Sequence, residues 1–250
     1  MEAHMCDSGN QILTTSHSRR GFLRLSAVGI ALPATGLLSP ALSASLANPK
    51  PENMLTPDAA LARLMEGNQR YVKGIESTNS FTTVARTLAS GQNPYACILG
   101  CADSRVGPEL AFDENQGDLF VTRVAGNFVT PEILASLEYA TAVLNAPLIM
   151  VLGHTSCGAV NAAIKAVKQD EDFPGHIQTL TSALSPAVEA AVQQKPKDLA
   201  DAATRENIRI NATRLRQATP ILSKRVRQGQ LRVEGGLYDI RTGRVELIAV

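Results

Sequence analysis

The sequence contains no tryptophan, and aromatic residues of every kind make up only 4% of it. It also has no excess of one charge: 24 basic and 23 acidic residues leave a formal net charge of +1. A basic stripe interleaved with aromatic platforms, the footprint of nucleic-acid binding, is therefore missing, and nucleic acid is not an expected partner. No apolar run approaches the roughly 20 residues needed to span a bilayer, which argues against a stable membrane anchor. Cysteine and histidine are scarce, at four each in 250 residues. Where they cluster is accordingly informative.

What remains is an ordinary globular composition, 44% hydrophobic and 19% charged, sufficient for one well-buried domain. The first 47 residues read as a targeting segment. Ser18-Arg19-Arg20-Gly21-Phe22-Leu23-Arg24 resembles a twin-arginine export signal. A mildly apolar stretch, Leu25 to Leu38, follows, and Ser45-Leu46-Ala47 offers a small-residue cleavage site. The expected organisation is a signal peptide over 1–47, a polar linker over 48–56 and one catalytic domain over 57–250, with export to the bacterial periplasm. Cleavage would remove Cys6, His4 and His17 and leave Cys97, Cys101, Cys157, His154 and His176. Three cysteines cannot form a fully paired disulfide framework.

Local signals predict an α/β domain. Thr56 as cap with Pro57 and Asp58 in the first turn opens a helix that runs to about Val72. A second helix is expected over Phe81–Ser90, and Thr130-Pro131-Glu132 opens another to about Leu144. Nearly continuous apolar runs at Tyr95–Gly100, Leu119–Val124 and Leu148–Leu152 suit strands buried on both faces of a parallel sheet. A helix after Cys157, two or three more between Ile177 and Arg227, and a closing strand pair over Leu231–Ile240 and Arg244–Val250 complete the pattern. Right-handed crossovers then give a mostly parallel central sheet flanked by helices.

Two clusters follow strand ends: Cys101-Ala102-Asp103-Ser104-Arg105 and His154-Thr155-Ser156-Cys157-Gly158. Ligands in open parallel sheets bind beyond the carboxyl ends of the strands, so these loops are candidates to converge. Cys101, His154 and Cys157 supply two thiolates and an imidazole, a zinc donor set that keeps one position open. A cysteine-protease pairing of Cys and His is an alternative, but it leaves the second thiolate unused. A structural zinc would need a fourth ligand. Cys97, inside a strand, reads as a small core residue and His176, after Pro174-Gly175, as solvent-facing. Asp103 and Arg105 are placed to control the open position, unless they form an ordinary loop ion pair. Glu109 and Asp113 read as solvated loop carboxylates, and Arg205, Arg209, Arg214 and Arg216 as a solvated helix face.

Over roughly residues 57–250 the chain resembles a β-class carbonic anhydrase. The resemblance is carried by Met65-Glu66-Gly67-Asn68-Gln69-Arg70-Tyr71, Gly117-Asp118-Leu119-Phe120, Arg123-Val124-Ala125-Gly126-Asn127, Ser136-Leu137-Glu138-Tyr139-Ala140, Leu152 to Gly158, and the closing Gly236-Leu237-Tyr238-Asp239 and Gly243-Arg244-Val245. It implies one Zn2+ per chain on Cys101, His154 and Cys157, with water, or Asp103 in a closed state, as fourth ligand. It implies reversible hydration of CO2 to bicarbonate, with a zinc-bound hydroxide oriented by Asp103 and Arg105. It further implies a substrate pocket of Gln92, Phe120, Ala125, Tyr139 and Gly158. Phe120 and Tyr139 would come from a neighbouring subunit, with an N-terminal helical arm supporting a homodimer or higher oligomer. Ala125 stands where some members carry a bulkier Val, and Ala102 where Ser is common. The tryptophan that serves a bicarbonate regulatory site in some members has no counterpart. Carbonyl sulfide or carbon disulfide hydrolysis is the alternative on the same fold, and a non-catalytic zinc-stabilised binding protein is a second.

Overall fold

The two most apolar runs, around residues 96–100 and 148–154, lie side by side at the middle of a five-stranded sheet. The computed structural model describes residues 50–75 and 81–250; the segment expected to direct export, over 1–47, lies outside them. In chain order the elements are α1 (Pro57–Val72), α2 (Phe81–Leu88), β1 (Ala96–Gly100), α3 (Pro108–Ala111), β2 (Leu119–Arg123), α4 (Pro131–Ala142), β3 (Leu148–His154), α5 (Gly158–Gln169), α6 (Ile177–Gln193), α7 (Leu199–Gln217), α8 (Leu222–Arg227), β4 (Arg232–Tyr238) and β5 (Val245–Ile248). The strand order is β2-β1-β3-β4-β5. All neighbours are parallel except β4 and β5, which pair antiparallel.

The expected caps form as read. Thr56 accepts from the Ala59 N–H, and Thr130 from the Ile133 N–H, each satisfying an orphan donor of the first turn. Side chains along β1 alternate between two cores. Cys97 and Leu99 face α4, α7 and α8 through Ile133, Leu137, Ile208, Leu215 and Leu222. Ala96 and Ile98 face α1 and the residue that closes α3, through Leu61, Leu64 and Phe112. At Gly67 of α1 an added Cβ would lie 1.8 Å from the Phe112 carbonyl oxygen, so only glycine permits this approach.

Several expectations are corrected. β2 is not buried on both faces: as an edge strand its residues Leu119–Thr122 are half-buried and Arg123 is exposed. β3 extends through His154 rather than ending at Leu152. From the stretch read as a linker, Lys50 and Asn53 are buried and both donate to Asp118 Oδ1, at 2.5 and 2.9 Å. Asp113 is not solvated; it pairs with Arg70 at 2.5 Å. The arginines of α7 are not simply solvated either. Arg205 bridges Asp201 and Glu246, Arg209 pairs with Glu206, Arg214 donates to the Val129 carbonyl, and Arg216 to the carbonyls of Val233 and Val250. No described helix is long and apolar enough to cross a membrane.

Candidate metal centre

The chain enters the sheet at β1, crosses to one side for β2 and to the other for β3. The carboxyl ends of β1 and β3 therefore diverge into separate loops, which leaves a crevice at this switch point. Cys101 directly follows β1, His154 ends β3, and Cys157 immediately precedes α5. Their sulfur and nitrogen donors all lie within 4.8 Å of one another, and all three residues are buried. Tight turns bring them there. Ser156 takes the left-handed conformation, at φ 57°, and Thr155 ties the turn to β4 through its N–H to the Tyr238 carbonyl.

The donor chemistry fits a metal ion. The Thr155 carbonyl can only accept, so His154 Nδ1, 3.0 Å from it, carries the proton. The lone pair is then on Nε2, which is fully buried and has no hydrogen-bond partner among the described residues. An orphaned buried nitrogen is costly unless something else satisfies it. The two sulfurs are 4.0 Å apart. Tetrahedral zinc with bonds of about 2.3 Å would place them roughly 3.8 Å apart. The Gly126 N–H donates to Cys101 Sγ at 3.2 Å. This contact needs a backbone with φ +86° and no Cβ, which would otherwise meet Leu184 at 2.7 Å. The neighbouring Cys157, with the Gly126 N–H among the further causes, holds the Cys101 thiol below its ordinary range; the Cys101 sulfur in turn holds the proton on Cys157. Burial pushes the Cys97 thiol well up, and it is a core residue as expected. His176 is exposed.

Asp103 borders the open side of this cluster, its Oδ2 3.8 Å from His154 Nε2. Arg105 grips it in a bidentate pair, Nε to Oδ1 at 2.9 Å and Nη2 to Oδ2 at 2.7 Å. The Arg105 guanidinium is the main cause holding the Asp103 carboxyl far below the usual range. Arg105 also donates to the Ser156 carbonyl, joining the loops after β1 and β3 at 3.2 Å.

A family profile described as carbonic anhydrase matches residues 96–245. Carbonic anhydrase 2 of Mycobacterium tuberculosis is 38% identical over 192 residues, 76% of this chain and 92% of the relative. The chain belongs to the carbonic anhydrase family. Among solved structures, the β-carbonic anhydrase CcaA aligns with a TM-score of 0.61 at 29% identity, over 77% of this chain and 92% of its own. A Coccomyxa β-carbonic anhydrase in complex with acetazolamide aligns at 0.58 and 28%, over 75% and 86%. The α/β architecture is that of the β class, and the protein is an enzyme of the carbonic anhydrase type, a lyase.

The other residues expected at a carbonic anhydrase pocket divide into two groups. Ala125 precedes Gly126, and Gly158 opens α5 beside Cys157 with empty space where a Cβ would stand. Gln92 is exposed in the turn before β1, while Phe120 sits opposite Cys97 in register and 6.5 Å, ring to ring, from Tyr139. Cys97 and Cys101 are about 13 Å apart along an extended strand. Within one chain these three residues therefore lie toward the far end of the sheet from the cluster.

Sequence reasoning gave no role to Arg123, Asn207 or Asn211. Asn207 Nδ2 donates to the Gly126 carbonyl, and Asn211 Oδ1 accepts from the Val129 N–H, both at 2.8 Å. The signal available in the sequence was two asparagines one helical turn apart on an otherwise apolar face, a pattern that implies a buried polar anchor.

Proposed function

We propose that the chain catalyses reversible hydration of CO2, with water adding to carbon to give bicarbonate and a proton, at a zinc ion held by Cys101, His154 and Cys157. The observation that carries this reading is the buried His154 Nε2, without a hydrogen-bond partner among the described residues, facing two sulfurs, with an ionised carboxylate at the open side. Zinc with an open fourth position supplies a Lewis acid that brings the pKa of water to about 7, a value known from carbonic anhydrases themselves and not obtained from this geometry.

The chain's own residues do the rest. Asp103 accepts a hydrogen bond from the attacking water and turns that oxygen's lone pair toward the carbon of CO2. Arg105 keeps Asp103 charged and directed away from the three donors. The Gly158 N–H, which as a first-turn group has no partner within its helix, is placed to steady the developing negative oxygen. Gln92, Phe120 and Tyr139 would complete the pocket from a second copy of the chain, since within one copy they stand toward the opposite end of β1. A homodimer or higher assembly is therefore part of the proposal, as is export by the twin-arginine route to the periplasm on the strength of Ser18–Arg24.

Stopped-flow hydration of CO2 by the zinc-loaded protein tests the activity. Turnover of carbonyl sulfide or carbon disulfide in place of CO2 would overturn it, as would protein without about one zinc per chain. Cell fractionation of the parent and an Arg19→Lys/Arg20→Lys variant tests export, with retention in the cytoplasm expected for the variant alone.

A further inference from the structure

Arg123 ends β2 and stands opposite Gly100 in the parallel register, one residue before Cys101. Its partners among the described residues are carbonyl oxygens. Nε donates to Cys101 at 2.8 Å, and Nη2 to Asp103 at 2.7 Å and to Val106 at 2.9 Å. Three carbonyls of one short loop thus converge on a single planar fork supplied by a neighbouring strand. A point donor such as an ammonium cannot span them.

The arrangement matters because of what it holds. Asp103 and Arg105 sit on the same loop, so their mutual pair fixes each relative to the other but not relative to the sheet. Arg105 is half-exposed and, among the described residues, its hydrogen bond to the far side of the crevice is the one to the Ser156 carbonyl, at 3.2 Å. With Asp103 Oδ2 only 3.8 Å from His154 Nε2, a small shift of the loop would bring the carboxylate among the three donors. We infer that Arg123 is a positioning residue for the reaction: its guanidinium references the Cys101–Val106 backbone to β2, so that Asp103 faces Arg105 and not the Cys101–His154–Cys157 cluster. This rests on the proposed CO2 hydration.

The test uses Arg123→Ala and Arg123→Lys in the full-length protein, beside Arg105→Ala. Zinc-loaded Arg123→Ala should keep its metal and lose about 10- to 100-fold in kcat, the range seen when outer-shell partners of metal ligands are removed, with KM within about twofold. Added guanidinium should restore part of the loss. Arg123→Lys should fold and still be impaired. Independently of activity, the cobalt-loaded Arg123→Ala protein should show an absorption spectrum displaced from the parent and close to that of Arg105→Ala, as both changes release Asp103. Parent-like kcat and spectrum in Arg123→Ala would overturn the inference. So would unfolding or metal loss in both variants, or a folded variant that guanidinium does not restore. If the parent itself does not hydrate CO2, that reading fails while the cobalt spectra still decide the role of Arg123.

Discussion

The two ends of β1 carry buried ionisable clusters of opposite character. At the amino end, Glu114 accepts from both Arg63 and Tyr95, at 2.7 Å each, and Asp118 from Lys50, Asn53 and the Asn115 N–H. The Arg63 guanidinium lies 4.1 Å over the Tyr95 ring. Burial raises the pKa of Glu114 and of Tyr95, yet each carboxylate has cationic and neutral donors around it. At the carboxyl end, equally deep in the protein, His154 Nε2 has no hydrogen-bond partner among the described residues and two sulfurs face each other. Pairing that is complete marks a brace, and pairing left open marks a place for something the chain does not itself supply.

The largest expected effect comes from breaking the open cluster. His154→Ala should abolish both metal retention and CO2 hydration, read by zinc analysis and stopped-flow, while circular dichroism stays near that of the parent because, among the described residues, the ring's hydrogen bond is to the Thr155 carbonyl of its own turn and not to another element. Next is Arg105→Ala. It removes the grip on Asp103 without touching Cys101, His154 or Cys157, so zinc should stay at about one per chain while activity falls about 10- to 100-fold. Full activity in this variant would refute the role given to the pair.

The braced end should respond the other way. Arg63→Ala leaves the Glu114 carboxylate, 2% exposed, without its cation, and losing one partner of a buried pair costs about 3 kcal/mol. Urea denaturation should show that loss, with metal content and kcat unchanged. A loss of zinc in Arg63→Ala would mean that the two ends are coupled through β1 and that the distinction drawn between them is false.

These clusters were not equally legible in the sequence. The open one was, because it uses rare residue types: of the few cysteines and histidines, three fall in two short clusters that follow apolar runs, and Asp103 and Arg105 lie two and four residues from Cys101. Helices with local start signals, such as Thr56-Pro57 and Thr130-Pro131, were legible for the same reason. The braced cluster was not, since Lys50 and Asn53 beside two prolines look like a linker until Asp118, 68 and 65 residues on, is folded against them. The arginines of α7 misled in the same manner. Asp201 and Glu206 lie within helical reach of Arg205 and Arg209, but Arg205 also reaches Glu246, Arg214 the Val129 carbonyl, and Arg216 those of Val233 and Val250; these distant partners lie beyond any helical spacing, so a charge pattern alone reports solvation. Among the described residues Arg123 has only carbonyl partners, and no side-chain pattern encodes a carbonyl.

The smallest effect should come from a pair as well made as any in the braced cluster but wet. Arg205 grips both oxygens of Glu246, at 2.9 and 2.8 Å, yet the Glu246 side chain is 58% exposed. Arg205 holds the Glu246 carboxyl below its ordinary range. A depressed folded pKa means that the unfolded chain binds the proton more readily, so the pair stabilises above the ordinary value of about 4.3 and loses its contribution as the pH falls below that toward the lower folded value. Solvent screening limits this to under about 1 kcal/mol. Urea midpoints of the parent and Glu246→Gln should therefore differ slightly at pH 7, converge below about pH 4, and converge at pH 7 in 1 M salt, where the screening length is about 3 Å. A deficit as large as that of Arg63→Ala, or one that persists in acid, would show that hydrogen-bond geometry and not burial sets the cost of breaking a pair in this fold.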